Sequence, residues 1–533
     1  MKLLWFLGGS LGSSILIHSS VGGRSHIKAM LEVGQTLAER GHSVRYAALT
    51  DNMRFTQGYP NISQAALGLK GFFTKTVVER LDFECGNEVG SSFAACFGRV
   101  VIWWISESYR MEYMPLLEHV EKDMPDLMIC DFFANACLDI AEAHAIPLVM
   151  GIQALDWIDI FNAPFISKDT RFGHLTIENM SLFDKILDTT LAAYSVEKFW
   201  ESISNAISKE RVLVGSKASW MPKGAFHYGI GLANSFFGFE VAQPLPPNIR
   251  AVGPILSNVI SPLDPSLDEF LKKHKRVMLV AFGSLLSLQT REISSILSGA
   301  LEAMEEGYID GLIWGLGRTS LANFPNKTTT KHDFLNDHHF QLFSWVPQQS
   351  ILNHPSTVVF LSHGGLESSF EAINSRTPVL NFPFLADQAK NAAKLHEMGV
   401  GVYIDPLNIN IAASTKALLE KPDLELSLVK ANALVKPHKR RLQEAANYVE
   451  DHLELAQACR PYQPYIPGGT NPPCEISHLL NASTRMSFIR ANRIDVYAIV
   501  SLVLLALISI LISLVWYGIT SSTSHQKPLE KKE

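Results

Sequence analysis

Positive charge is in short supply in this 533-residue chain: 46 Lys and Arg stand against 52 Asp and Glu, for a formal charge of -6. The long-range attraction for phosphate backbones that a nucleic-acid binder needs is therefore missing, and nucleic acid is not expected as a partner. Cysteine is scarce as well. Cys85, Cys96, Cys130, Cys137, Cys459 and Cys474 are too sparse for a disulfide scaffold and lack the close paired spacing of a zinc site, so no structural metal is expected. Short internal repeats are absent, and so are low-complexity tracts apart from the polar tail after Thr520. At this length two or three ordinary domains are expected, each able to bury a core.

Charge is missing altogether from Val496 to Ile519, VYAIVSLVLLALISILISLVWYGI. As a helix this run reaches about 36 Å, enough to cross a hydrocarbon layer of about 30 Å. It reads as a transmembrane helix, bounded at 494–519, with Tyr497, Trp516 and Tyr517 near its ends where amphipathic rings prefer the interface. Arg485, Arg490 and Arg493 before it balance Lys527, Lys531 and Lys532 after it, which leaves orientation open. Lys2 and LLWFLGG resemble the start of a secretory signal, with residues 1–13 as a candidate short signal segment. Asn61, Asn179, Asn326 and Asn481 head N-x-S/T sequons, which would make a glycoprotein of a chain whose domains face a lumen.

What fills the rest is βα alternation. Ser14 to His18 (SILIH), a helix over His26 to Arg40 closed by Gly41, and the strand SVRYAAL form a βαβ unit. Asp126 to Cys130, Pro147 to Met150 and Arg211 to Gly215 read as further buried strands, with a helix over Asn135 to His144. Phe72, Phe73, Phe93, Phe97, Trp103, Trp104 and Tyr109, then Trp157, Phe161 and Phe172, lie between these elements, either as ordinary core or as the lining of an apolar pocket. The proline-rich QPLPPNIRAVGP, Gln243 to Pro254, marks a boundary. After it the alternation resumes: RVMLVAFGS, a helix from Arg291 to Glu306, GLIWGLG, QLFSW, TVVFLSH, PVLNF and GVGVYI. Two doubly wound α/β domains, 14–250 and 251–480, would then face a crevice at the carboxyl ends of their strands. One side suits a nucleotide and the other an acceptor.

The most specific stretch is Ser344 to Asp405, which contains the strand Val358 to Ser362, the turn His363-Gly364-Gly365 and the helix LESSFEAIN. Free N–H groups and the positive dipole end at such a helix start suit a pyrophosphate, and two glycines permit close approach. This stretch resembles the nucleotide-sugar signature of the UDP-glycosyltransferase family, which includes the UDP-glucuronosyltransferases and the small-molecule glucosyltransferases. The resemblance runs over nearly the whole chain and implies the two-domain GT-B fold. By the same resemblance His363 and the hydroxyl of Ser368 or Ser369 would bond phosphate oxygens, and Glu371 would accept from the ribose. Trp345 would stack on uracil beside Gln348, Asp387 and Gln388 would hold the donor sugar, and Gly283-Ser284 would form a second phosphate-facing turn.

In members of that family a histidine matching His26 removes the proton from the acceptor hydroxyl, and an aspartate matching Asp131 orients it. His18, inside the strand SILIH, is the rival and suits a structural role better. The reaction expected is an inverting displacement that moves a hexose, glucose or glucuronate, from a UDP-sugar to a hydroxyl of a small lipophilic acceptor such as a sterol, lipid or phenol. The helix dipole, His363 and the serines would stabilise departing UDP in place of a metal, so no cofactor is expected. Two departures bear on the donor: no arginine follows Trp314, as it often does in animal glucuronosyltransferases, and Glu367 stands where plant enzymes have asparagine. The first counts against glucuronate, the second alters the sugar contact at that position, and glucose is the expected donor. The tail EKKE, close to a dilysine retrieval signal, suggests the endoplasmic reticulum or another endomembrane, and a homodimer is compatible with the chain. The rival classes are a sugar-nucleotide epimerase of the same fold, which needs neither acceptor pocket nor anchor, and a non-catalytic UDP-sugar-binding protein, which needs neither His26 nor Asp131.

Overall fold

The computed structural model describes residues 12–20, 23–68, 80, 84–85, 90–155, 163–168, 175–218, 226–283, 286, 288–325, 337–384, 387–405, 408–435, 438–462, 473–480 and 486–524. They fall into two compact units, 1–478 and 479–533. The first unit contains two parallel sheets.

Sheet one has the order β3-β2-β1-β4-β5-β6-β7, with β1 Ser14–His18, β2 Ser43–Ala48, β3 Ile62–Ala66, β4 Leu127–Asp131, β5 Leu148–Ile152, β6 Ile230–Ala233 and β7 Ile249–Ala251. Its central strands LMICD and LVMGI are buried along their whole length, as parallel strands covered on both faces must be. Helix α1, Arg24–Glu39, covers one face through Ile27, Met30, Leu31 and Leu37. Helices α2, Gly90–Lys122, and α3, Asn135–Ala143, belong to a second cluster. Trp104, Tyr109 and Leu116 meet Leu16, Met128 and Leu148 there. Each such side chain taken from water contributes about 1.5 to 3 kcal/mol.

Arg211 to Gly215, expected as a strand, is instead the end of helix α4, Ala193–Val214, closed by Gly215 in the left-handed conformation at φ 72°. Trp200, Ile203, Ile207 and Arg211 recur at helical spacing on its buried face. The sixth and seventh strands come from other segments, and β7 extends sheet one into the proline-rich stretch as an edge strand, where prolines are tolerated.

Sheet two has the order β10-β9-β8-β11-β12-β13, with β8 Val277–Ala281, β9 Gly311–Gly315, β10 Phe340–Phe343, β11 Thr357–Ser362, β12 Val379–Asn381 and β13 Gly401–Tyr403. Apolar layers cover both faces, one around Leu279, Ile313 and Phe360, the other around Val280, Trp314 and Leu361. The last long helix of this unit, α8 in chain order after α5 Thr290–Glu305, α6 Leu366–Ser375 and α7 Gln388–Glu397, spans His438–Cys459 and returns to the first half. There Arg40 bonds Glu450 and Gln443, and Gln457 Nε2 donates to Ser13 Oγ at 3.1 Å.

Three disulfides, Cys85–Cys96, Cys130–Cys137 and Cys459–Cys474, take up all six cysteines. The sequence left the pairing of these cysteines open. Each bridge is local, with partners 7 to 15 residues apart, and the second joins strand β4 to helix α3.

The second unit carries helix α9, Ile494–Ser524, with Leu, Ile and Val exposed along its length. Its segment Ile494–Ile519 is long and apolar enough to cross a membrane.

Candidate active site

In each sheet the strand order reverses once, between β1 and β4 in sheet one and between β8 and β11 in sheet two. Loops diverge at such a switch point and open a crevice beyond the carboxyl ends of the strands. Of the sequence-derived residues, His26, Asp131, Gly283 and His363 to Glu371 follow the strands at these two points, whereas Trp345 and Gln348 follow the edge strand β10 and Asp387 and Gln388 follow β12. His26 comes after β1 in the first turn of α1, and Asp131 ends the neighbouring β4.

His26 Nδ1 donates to Asp131 Oδ2 at 3.0 Å, and Asp131 Oδ1 accepts the Phe133 N–H at 2.9 Å. Asp131 is fully buried, whereas the His26 side chain is 21% exposed. Gln153 Nε2 donates to the His26 carbonyl at 3.0 Å and fixes the helix start. Burial lowers the basicity of His26. The charge and hydrogen bond of Asp131 outweigh it, Asp387 and Glu367 add to the effect, and the ring is held above its ordinary value of 6.5. With Nδ1 committed to Asp131, Nε2 is the nitrogen left to take a proton. Phe133 lies edge-on to the His26 ring at 5.7 Å, with Trp104 at 6.2 Å behind it, so an apolar wall adjoins the base.

His18 sits inside the sheet. It is fully buried, with Nδ1 2.8 Å from the Ala47 carbonyl and Nε2 3.3 Å from Glu112. Both ring nitrogens are committed, as a structural histidine requires. Of the expected aromatic lining, Trp104 and Tyr109 are core and Phe97 and Trp103 pack against it. Phe72, Phe73, Trp157, Phe161 and Phe172 lie outside the described residues, as does the side chain of Phe93.

The second crevice is built from turns after β8 and β11. Gly283, at φ 72°, and Gly365 leave room for the His363 ring: a Cβ at Gly365 would come within 2.4 Å of His363 Nε2. Burial lowers His363 to about 4, so its ring is neutral near pH 7. A neutral imidazole donates one hydrogen bond without carrying charge. Gly364, at φ 79°, turns the chain into α6, whose start at Gly365 has no side-chain cap on its first N–H groups. Ser284 lies outside the described residues.

Around this turn the two serines differ. Ser369 Oγ donates back to the Gly365 carbonyl at 3.0 Å and is buried, whereas Ser368 Oγ is half-buried and accepts from Gln348 Nε2 at 3.1 Å. Ser368 is therefore the hydroxyl available to a ligand. Gln348 Nε2 also donates to Glu371 Oε2 at 2.8 Å. Trp345, two residues past β10, is 59% exposed, an unusual state for an indole and one suited to stacking. Asp387 caps α7 by position, and its Oδ2 accepts from Asn391 Nδ2 at 2.6 Å. Asn391 Nδ2 also donates to the Gly364 carbonyl at 2.9 Å, tying the acid to the glycine turn. Gln388 Oε1 accepts the Phe384 N–H at 2.9 Å.

One residue that sequence reasoning missed joins the halves. Lys28 Nζ, on α1, lies 2.6 Å from Glu367 Oε1 and 3.6 Å from Glu371 Oε1, both on α6. No local pattern could announce a partner in the other half of the chain. Among the described residues, Asp337, His338 and His339 could converge on a metal ion. They precede β10, at the opposite end of sheet two from the crevice, and His339 Nδ1 is already bonded to the Asp310 carbonyl at 2.9 Å.

A family model described as UDP-glucoronosyl and UDP-glucosyl transferase matches residues 178–436. A UDP-glycosyltransferase of Talaromyces amestolkiae is 28% identical over 91% of this chain and 94% of its own length. The UDP-glucuronosyltransferase 3A1 of Bos taurus is 24% identical over 78% of each chain. Among solved structures, a UDP-glucosyltransferase from Polygonum tinctorium superposes with a TM-score of 0.55, at 16% identity, covering 83% of this chain and 99% of that one. The likeness to that structure is one of fold.

Proposed function

We propose, since the chain belongs to the UDP-glycosyltransferase family and is a GT-B enzyme that transfers sugar from a UDP-sugar, that it glycosylates the hydroxyl of a small lipophilic acceptor with inversion. The acceptor O–H loses its proton to His26 Nε2 while its oxygen bonds to the anomeric carbon. The bond from that carbon to the diphosphate oxygen breaks, and its electron pair leaves with UDP. Asp131 holds the imidazole in the accepting tautomer and stabilises the imidazolium as it forms. The N–H groups at the start of α6, His363 and Ser368 bind the diphosphate, Glu371 the ribose, Trp345 the uracil with Gln348 beside it, and Asp387 with Gln388 the sugar. Fixed dipoles aimed at a developing anion do the work that a metal does elsewhere, so no cofactor enters the scheme.

The observation that carries this reading is the 3.0 Å bond between His26 and Asp131 at the switch point of sheet one. Phe133, partly exposed and edge-on to the His26 ring, suits an apolar acceptor. The donor sugar is a neutral hexose: Asp131, Asp387 and Glu367 already act on His26, and a uronate would bring another anion to the same place. Helix α9 anchors the enzyme in an endomembrane. Three disulfides fit an oxidising lumen for residues 85–474, and Asn61 and Asn179, both exposed, would be open to glycosylation there.

The test is to incubate purified protein with UDP-glucose, UDP-glucuronate or UDP-N-acetylglucosamine and a panel of sterols, lipids and phenols, measuring UDP release and product anomer. UDP-glucose should support the fastest release, with the product inverted and the rate lost in His26→Ala. A retained anomer, or an undiminished rate in that variant, would overturn the mechanism.

A further inference from the structure

Lys28 has a position that the proposed displacement does not use. It lies two residues beyond His26 on α1, yet its ammonium group belongs electrostatically to the other half of the molecule, with Glu367 at 2.6 Å and Glu371 at 3.6 Å. Its side chain is 11% exposed, so its charge is largely removed from water and depends on a partner. Glu367 is the second residue of α6, beside the turn whose N–H groups face the diphosphate site. A carboxylate is welcome at a free helix N-terminus, where it meets the positive dipole end. It is unwelcome beside a bound diphosphate, which seeks the same dipole and carries more charge. Glu371 has a second partner in Gln348 Nε2 at 2.8 Å.

We propose that Lys28 is a donor-binding residue held in reserve: Glu367 and Glu371 hold its ammonium group until the diphosphate of the entering UDP-sugar takes it over. The exchange replaces one anionic partner by another of higher charge, so the lysine is never left buried and alone. Glu367 is the competing anion and sets how readily the exchange occurs. Because Lys28 and His26 share the first turns of α1, the new contact also draws the base toward the bond that breaks. The proposal rests on the UDP-sugar reading of the cleft and adds to it a cation supplied by the acceptor half.

Calorimetric titration of the full chain in detergent with UDP tests this, since UDP lacks the sugar and leaves sugar contacts of Glu367 out of the measurement. Lys28→Met should weaken UDP binding by about tenfold or more and flatten its salt dependence, with Lys28→Arg restoring most of the affinity. Glu367→Gln keeps the shape and releases the lysine, and should tighten UDP binding about threefold or more, a gain largely lost in the double variant. Should Lys28→Met fail to fold, Glu367→Gln alone carries the test. Lys28→Met binding like wild type, or Glu367→Gln binding more weakly than wild type, would overturn the role of Lys28 and leave the donor site standing. Wild-type protein that does not bind UDP would overturn the donor site, and this proposal with it.

Discussion

Replacing Asp131 by asparagine isolates the proposed catalytic step, because the structure dictates how the new side chain must sit. Asp131 Oδ1 accepts the Phe133 N–H at 2.9 Å, and only the carbonyl oxygen of an asparagine can take over that bond. Its NH2 group then occupies the place of Oδ2, 3.0 Å from His26 Nδ1. An amide N–H pointing at Nδ1 forces that nitrogen to accept, which puts the ring proton on Nε2. Nε2 can then no longer take a proton from the acceptor. Asp131→Asn also removes the buried charge that holds His26 above 6.5, so the imidazolium loses its counter-ion at the moment it forms. The two losses together should lower kcat on the order of 10²- to 10⁴-fold. UDP affinity should not change, since the substitution lies in the other half of the cleft. Initial rates of UDP release from pH 5 to 9 measure both effects. In the wild type the rate rises as His26 loses its proton, with the acid limb above pH 6.5, and in the variant what remains of that limb moves to lower pH. A variant with kcat within about tenfold of wild type, or an acid limb that stays in place, would refute the role given to Asp131.

Three further outcomes concern groups away from the dyad. Arg211 binds Asp139 through Nε and a terminal nitrogen, each at 2.7 Å, and Asp139 is fully buried. Arg211→Met should therefore cost about 3 to 5 kcal/mol in urea unfolding, and a loss below about 1 kcal/mol would show the pair to be dispensable. Burial holds His452 at about 4 against 6.5 in an unfolded chain, so the unfolded state takes its proton first and stability falls as pH drops through that window. The contribution is roughly 3 kcal/mol, and His452→Leu should flatten the pH dependence of the denaturation midpoint between pH 4 and 7. Helix α9 belongs to a separate compact unit, so a chain ending before Ile494 should remain in solution without detergent and bind UDP as the full chain does. Aggregation of that truncation without detergent would refute the anchor reading.

Buried strands and the switch points could be read from the sequence because each depends on a few adjacent residues. SILIH and DLMIC are apolar over about the length of a strand and each runs into a turn, which is enough to bring His26 and Asp131 to neighbouring strand ends. RVLVG fails the same test in the other direction. Its short apolar run ends in glycine like a strand, and only the buried Trp200, Ile203 and Ile207 upstream reveal that it continues a helix. Ser368 and Ser369 cannot be told apart until the helix start is known, because the bond from Ser369 to the Gly365 carbonyl depends on Gly365 being the cap. Lys28 was out of reach because its partner Glu367 lies in the other half of the chain.

Helix α1 ties together residues that follow the switch points of both sheets. Near its start His26 reaches Asp131 and Lys28 reaches Glu367 in the second half. Midway along, Glu32 accepts the Asn258 backbone N–H at 2.9 Å, its side-chain amide at 3.1 Å and the Tyr59 hydroxyl at 2.9 Å, which fastens the connector between the halves to the same rod. At its end Arg40 grips Glu450 on the returning helix α8. A helix of 16 residues is stiff on this scale, so a shift of one half against the other cannot be absorbed between these contacts and must move the base. Catalysis by displacement needs the attacking oxygen within about 3 to 3.5 Å of the anomeric carbon. In the proposed displacement that tolerance rests on the contacts of α1 that persist when a donor enters, those of His26 with Asp131, Glu32 with Asn258 and Arg40 with Glu450.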